Sequence, residues 1–205
     1  MILLHPTYFP SIVQMVAMAQ ADKIVFEVED NYQKQTYRNR AYIAHSNGKL
    51  TLNVPIKHST NRERQKTKDV LVENSFPWQS QHWKSLQTAY RTSPFFEFYE
   101  DDLAPLFQEP VELLLDFNLK IFEILSDLIG METPYSLTSE YVKTPIGKDL
   151  RHLAVAKKEP QYTLSKYNQV LQENHGFLPN LSVLDVLFNE GPNTLHYLEE
   201  QEVVF

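Results

Sequence analysis

Two groups of residues near the N-terminus have types and spacings that could support chemistry. The first is His5 with Tyr8, in the run HPTYFP that follows the apolar Ile2-Leu3-Leu4. An imidazole titrates near neutral pH, so it can take a proton from an attacking amine or hydroxyl, or hold a phosphate. The spacing predicts that His5 lies just past the carboxyl end of a first strand, where open α/β folds bind ligands. The helix opening near Ser11 is expected to offer free N–H groups to an anion. The competing reading is a loop histidine packed between Pro6 and Pro10.

The second group is Tyr32, Gln33, Lys34, Tyr37, Arg38, Asn39 and Arg40. On a strand, Arg38 and Arg40 would share one face. Two guanidinium forks on one face match the geometry of a phosphate or carboxylate. The competing reading is a solvated edge strand whose arginines pair with Glu27, Glu29 or Asp30. Further along, Lys57, Arg62, Arg64, Lys66 and Lys68 form a basic run without aromatic residues. It reads as a solvated loop, with a lid over a polyphosphate as the alternative. His82 stands beside Trp83 in a helical stretch; core packing explains Trp83 and Tyr90, and leaves His82 and Arg91 as ligand-facing or merely exposed residues.

These residues need elements to position them. Ile2 to Leu4 reads as a buried strand, and Ile12, Met15, Val16 and Ala19 recur at helical spacing. Ile24 to Val28 reads as a second strand, which together suggests a βαβ start. Ser46-Asn47-Gly48-Lys49 predicts a hairpin turn, with Leu50, Leu52 and Val54 alternating on the return strand. Asp69 to Val72 and Tyr135 to Leu137 are further strand candidates. The remainder is mainly helical: one helix after Pro77, a short aromatic one from Ser93-Pro94 to about Phe107, and a long one from Pro110 to Gly130. Lys143 to Tyr162 shows no period. Ser182 and Asp185 resemble a capping box ahead of a helix that Gly191-Pro192 ends. The expected fold class is α/β: a small mixed sheet started by a βαβ-like unit, a β-hairpin and a largely helical C-terminal half, all in one domain over residues 1–205.

Composition narrows the function. The formal net charge is −7, so bulk charge does not draw the chain to nucleic acid. With no cysteine, thiolate metal sites, disulfides and a cysteine nucleophile are excluded; a reducing compartment fits, and a cytoplasmic location is expected. The N-terminus does not read as a signal peptide. Charges recur through the apolar region Val111 to Ile129, so no membrane insertion is expected. The chain contains no GxGxxG, P-loop, HExxH or GxSxG pattern, and its histidines lack metal-ligand spacing. No cofactor is named by the residues, and no metal site is expected.

Several motifs in order carry a family resemblance: HPTYFP, QADKIVFEVED, NYQKQTYRNRAYI, NGKLTLNVPIK, WQSQHWKSLQTAYRTSPFF and LSVLDVLFNEGP. Together they run from residue 2 to about 192 and resemble the WbqC-like proteins of bacteria. The resemblance implies work among the genes of surface-polysaccharide (O-antigen type) synthesis, as an aminoacyl or other acyl transferase on a sugar. The matching positions are His5, Tyr8 and Pro10, then Tyr32, Lys34, Asn39 and Arg40, then Trp83, Tyr90 and Pro94, and finally Asn189, Gly191 and Pro192. Pro6 stands where the family usually has glutamine, and the acidic pair ahead of Tyr32 is shifted to Glu29-Asp30. The glycine-containing tyrosine motif of longer members has no counterpart in Tyr162 to Asn174.

From these residues and this resemblance, the expected partner is a small-molecule sugar or nucleotide-sugar, with no nucleic acid. His5 is expected to serve as general base. Lys34, Arg38 and Arg40 would hold phosphate or carboxylate, and Tyr32 and Asn39 would orient the sugar. Tyr8, His82 and Asn189 complete the expected binding set. A nucleotidyltransferase-like enzyme is the second reading, opposed by the lack of an HxGH-type signature. A binding or scaffold protein using Phe95, Phe96, Phe98 and Tyr99 as a partner surface is the third.

Overall fold

The computed structural model describes residues 1–57, 65–157 and 160–205. Its centre is the strand β1 (Ile2–Leu4), apolar and buried throughout, as a strand covered on both faces must be. The helix α1 (Ile12–Ala19) follows. It starts at a complete capping box, with Ser11 Oγ accepting from the Gln14 N–H and Gln14 reaching back to the Ser11 N–H, which satisfies two otherwise orphaned donors. Ile12 to Met18 are all buried, so α1 is a core helix rather than an amphipathic surface one. β2 (Ile24–Phe26) returns parallel to β1 with Ile2 opposite Ile24, completing the βαβ start read from the spacing.

The next strands, β3 (Arg40–His45) and β4 (Gly48–Asn53), form the predicted antiparallel hairpin as a sheet of their own. Gly48 takes a φ of 110° at the turn, a conformation that favours glycine. Three helices follow: α2 (Trp78–Tyr90), α3 (Phe96–Leu103) and α4 (Leu114–Ile129). The start of α4 lies past Pro110, because Glu112 and Leu113 are first used as extended backbone. The Val72 N–H donates to the Glu112 carbonyl, and the Leu114 N–H donates to the Val70 carbonyl. The strand read at Asp69 to Val72 is therefore a pair of isolated bridges, Leu71 to Leu113 and Val72 to Ile56, behind a 3-10 turn at Thr67–Asp69. Gly130, at a φ of 77°, ends α4 in the left-handed conformation.

β5 (Tyr135–Leu137) then pairs parallel with β2, and β6 (Lys148–Asp149) pairs parallel with β1. The main sheet has the order β5-β2-β1-β6 and is parallel throughout. The C-terminal helices are α5 (Gln172–His175), α6 (Val183–Glu190) and α7 (Thr194–Glu199). Ser182 caps α6 as expected, but Asp185 does not close a capping box. Its carboxylate turns inward, where it accepts from Tyr90 Oη, Tyr167 Oη and Gln169 Nε2. Buried donors hold that carboxylate more firmly than an exposed cap site could. One core unites all these parts, from Leu4 and Ile12 through Leu86 and Phe96 to Leu187. Among the described residues no helix is long and apolar enough to cross a membrane.

Candidate functional site

β1 has β2 on one side and β6 on the other, so the sheet reverses its winding there. Open parallel sheets leave a crevice beyond the strand ends at such a point. A cavity of about 250 Å³ lies there, lined by His5, Asp30, Arg38, Tyr141, Arg151 and their neighbours. His5 immediately follows β1, Glu27 follows β2, and Arg151 opens the 3-10 turn Arg151–Ala154 just after β6.

Backbone bonds fix these positions. The Glu27 N–H donates to the Leu4 carbonyl (2.8 Å), and the Leu150 N–H donates to the Leu3 carbonyl (2.9 Å). The loop carrying Arg38 is clamped on three sides. Its Tyr37 carbonyl accepts from the Tyr8 N–H (2.9 Å), and its Tyr37 N–H donates to the Ala154 carbonyl (2.7 Å). From α4, the buried Asn118 donates through Nδ2 to the carbonyls of Arg38 (2.8 Å) and Pro6 (3.4 Å). A helix side chain thus ties the two site loops together.

Within the cavity wall, Arg38 Nη2 reaches both His5 Nε2 (2.8 Å) and Asp30 Oδ2 (2.6 Å). A guanidinium can only donate, so Nε2 of His5 is the accepting nitrogen. The proton then sits on Nδ1, which donates to the Glu27 carbonyl at 3.3 Å. Burial, reinforced by the Arg38 charge, holds the imidazole pKa well below its usual value; His5 is neutral near pH 7. Asp30 also accepts from Thr67 Oγ1 (2.6 Å), while burial pushes its carboxyl upward against the pull of Arg38. Arg151 is held by Asp149 (2.6 Å) and by the fully buried Glu27 (3.5 Å). Asp149 in turn is lowered by its bond to Arg151. Each guanidinium of this cavity therefore has a carboxylate partner. Arg38 nevertheless keeps one buried donor, Nε, without a partner.

Two further cavities continue from the first in a row. One of about 500 Å³ shares Asp30, Gln33 and Tyr141 with it. The other, about 370 Å³, shares Tyr32 with the second and is lined by Lys34, Asn39, Arg40 and Asn53. The segment 29–40 is thus a common wall of all three.

The structure distributes the sequence-predicted residues unevenly. His5 and Arg38 meet in the first cavity, and Tyr32, Lys34, Asn39 and Arg40 line the third. Arg38 and Arg40 do not form one clamp, because β3 begins only at Arg40 and Arg38 lies in the loop before it. The pairing of Arg38 with Asp30 is the one the edge-strand reading foresaw. Tyr8 and His82 line none of these three cavities; Tyr8 Oη lies 2.8 Å from His82 Nδ1 in the core beside Trp78 and Phe117. His82 is on the buried face of α2, while Trp83 is only half-buried. Asn189 is structural: its Oδ1 accepts from the Val170 N–H and its Nδ2 donates to the Asp185 carbonyl. The N–H groups of α1 are not free for an anion either, since Ile12 donates to Leu181, Val13 to Asn180 Oδ1 and Gln14 to Ser11 Oγ. Arg62 and Arg64 of the basic run lie outside the described residues. Of its neighbours, Lys66 donates to the Glu29 carbonyl and Lys68 pairs with the Glu29 carboxylate.

Asp30 and Arg151 are the cavity-lining residues that sequence reading underrated. Asp30 was visible only as an arginine partner. Arg151 lies in Lys143 to Tyr162, where a strand of two residues is too short to display any period. No group of three metal-capable side chains occurs among the described residues. The third reading fares unevenly: Phe96 is fully buried and Phe98 is 75% exposed, so those rings are not one surface.

The family model described as the WbqC-like protein family matches residues 5–161. Rv1507c of Mycobacterium tuberculosis, described as an uncharacterised protein, is 25% identical over 208 residues, covering 88% of this chain and 89% of that one. No solved structure matches. The matched span holds His5, Asp30, Arg38 and Arg151 together, and the chain belongs to the WbqC-like protein family.

Proposed function

We propose that this chain is an aminoacyl or other acyl transferase acting on an amino- or nucleotide-sugar intermediate of bacterial surface-polysaccharide (O-antigen type) synthesis. Family membership supports the pathway class. The observation that carries the chemistry is a neutral, buried His5 at the mouth of the parallel sheet, with its accepting nitrogen turned toward Arg38.

In this reading the sugar amine attacks the acyl carbon of an activated donor. The new C–N bond forms as the bond from the acyl carbon to the leaving group breaks. His5 Nε2 takes the amine proton, which requires Arg38 Nη2 to release that nitrogen and pass its hydrogen bond to a substrate oxygen. Asp30 Oδ2, 3.6 Å from Nε2, stabilises the imidazolium once it forms. Without cysteine, direct transfer is simpler than an acyl-enzyme on the chain.

The test is a thermal-shift screen against nucleotide sugars and acyl-coenzyme A compounds. A ligand at a hundred times its dissociation constant stabilises the fold by about 2.7 kcal/mol. A shift with a nucleotide sugar, retained in His5→Gln while turnover disappears, is the expected result. A flat response across the panel rejects the transferase.

A further inference from the structure

We infer that the cavity lined by Lys34, Asn39 and Arg40 is an anion subsite that takes the phosphate of a phosphorylated sugar, separate from the reacting end at His5. The inference rests on the transferase reading only for the identity of the sugar; the anion site itself stands on charge and hydrogen bonding.

The first argument is charge. In the switch-point cavity both guanidiniums are already matched, Arg38 by Asp30 and Arg151 by Asp149 and Glu27. The middle cavity carries Glu29 and Asp30 against Lys66. The third cavity is lined by Lys34 and Arg40, with no carboxylate among the described residues that line it. An anion gains Coulomb energy there and meets opposition in the other two.

The second argument is unsatisfied hydrogen bonding. Asn39 is only 7% exposed. Its Nδ2 donates to the Val54 carbonyl at 2.9 Å, which fixes the amide orientation and leaves Oδ1 buried with no partner. Arg40 Nε is likewise buried, with no partner among the described residues. Buried polar groups are almost always paired, so an unmet acceptor and an unmet donor on two residues that line one cavity leave hydrogen-bonding capacity for a ligand once these side chains turn toward it. The donor matches a phosphate oxygen. The acceptor requires a ligand O–H, which a sugar phosphate also supplies and inorganic phosphate supplies poorly.

The third argument is continuity. Tyr32 joins this cavity to the middle one, and Asp30, Gln33 and Tyr141 join the middle one to His5. A ligand held by its phosphate at Arg40 can extend along residues 29–40 with its other end at the imidazole.

Calorimetric titration of the full chain with glucose 1-phosphate, glucuronate and glucose tests the inference. Glucose 1-phosphate is expected to bind at least tenfold more tightly than glucose. Arg40→Gln and Asn39→Asp should each weaken it at least tenfold, while Lys23→Gln, at an exposed cation that lines none of the three cavities, leaves it unchanged. Circular dichroism and melting temperature establish that each variant is folded, and Arg40→Lys, which keeps the charge, should recover part of the affinity. Glucuronate binding with the same mutational pattern retains the anion subsite and moves its ligand class to carboxylates. Binding that survives Arg40→Gln but is lost in folded Arg38→Gln overturns the inference, as does no anion binding at all. Phosphate binding at Arg40 without any acyl transfer removes the transferase and keeps the subsite.

Discussion

Arg38 Nη2 donates to His5 Nε2 across 2.8 Å. The contact fixes the histidine tautomer and blocks its basic nitrogen until something displaces the guanidinium. The same Nη2 neutralises Asp30 at 2.6 Å, so one nitrogen sets the state of both an acid and a base. Arg38 is 2% exposed, and removing one member of a buried ion pair costs about 3–5 kcal/mol. Urea denaturation should find Arg38→Met that much less stable than the natural chain. With Asp30→Asn added, the loss should be smaller than the two single losses combined, with a coupling of at least about 1 kcal/mol; additive losses would mean the pair contributes nothing as a pair.

His82 supplies a pH dependence. Burial lowers its pKa to about 4, whereas the unfolded chain takes up that proton near 6.5. Between these values the unfolded state binds more protons, so stability falls as the pH drops from 6.5 to 4. The difference corresponds to roughly 3 kcal/mol. His82→Gln keeps a polar side chain opposite Tyr8 Oη and cannot titrate. Its stability curve should be visibly flatter across that window, with the residual slope coming from His5, whose pKa is depressed in the same direction. An unchanged slope would remove His82 from the account.

Asp185 tests the buried carboxylate in the helical half. Three donors converge on it, from Tyr90, Tyr167 and Gln169, even though burial pushes its carboxyl upward. Asp185→Ala orphans the Tyr90 and Tyr167 hydroxyls at a cost of about 1–3 kcal/mol each when they stay unsatisfied, while Gln169 Nε2 keeps the Leu178 carbonyl as acceptor. A loss of at least about 2 kcal/mol in denaturant midpoint analysis is expected. Asp185→Asn retains one acceptor oxygen and should lose distinctly less.

Gly191 is held by two constraints at once. Its φ is 55°, and an added Cβ would stand 2.5 Å from the Phe95 ring. Overpacking costs about 1–3 kcal/mol, and the left-handed backbone about 1–2 more for an alanine. Gly191→Ala should therefore melt well below the natural chain. Adding Phe95→Ala removes the clash but not the backbone term, so recovery should be partial. Full recovery would assign the whole effect to the ring.

Much of this architecture was legible because local signals agreed with it. Ile2-Leu3-Leu4 has no polar residue to expose, Asn47-Gly48 fits the hairpin turn, and Gly130 marks where α4 ends. His5 and Arg38 were legible as chemistry because few roles suit a histidine and an arginine beside a strand end. Their separation from Arg40 was not, since it depends on β3 starting only at Arg40, which leaves Arg38 in the loop before it. Arg151 was hidden for a related reason: its position follows from the pairing of Lys148 and Asp149 with β1, which leaves no local trace. The free N–H groups expected at α1 fail because their acceptors, Asn180 and Leu181, come from the far end of the chain.

The pairing of Ile2 with Lys148 also sets an order of events in synthesis. In a growing chain the residues of β1, α1, β2 and the hairpin are all made once Asn53 is added. The switch-point cavity needs Arg151, so it stays incomplete until translation has passed β6 and the turn after it. Until then Glu27 has no guanidinium to answer its charge, and β1 presents a bare edge. The cavity is therefore a late feature of synthesis: a ribosome-stalled fragment ending before β6 lacks Arg151 and the turn that completes the cavity wall around His5.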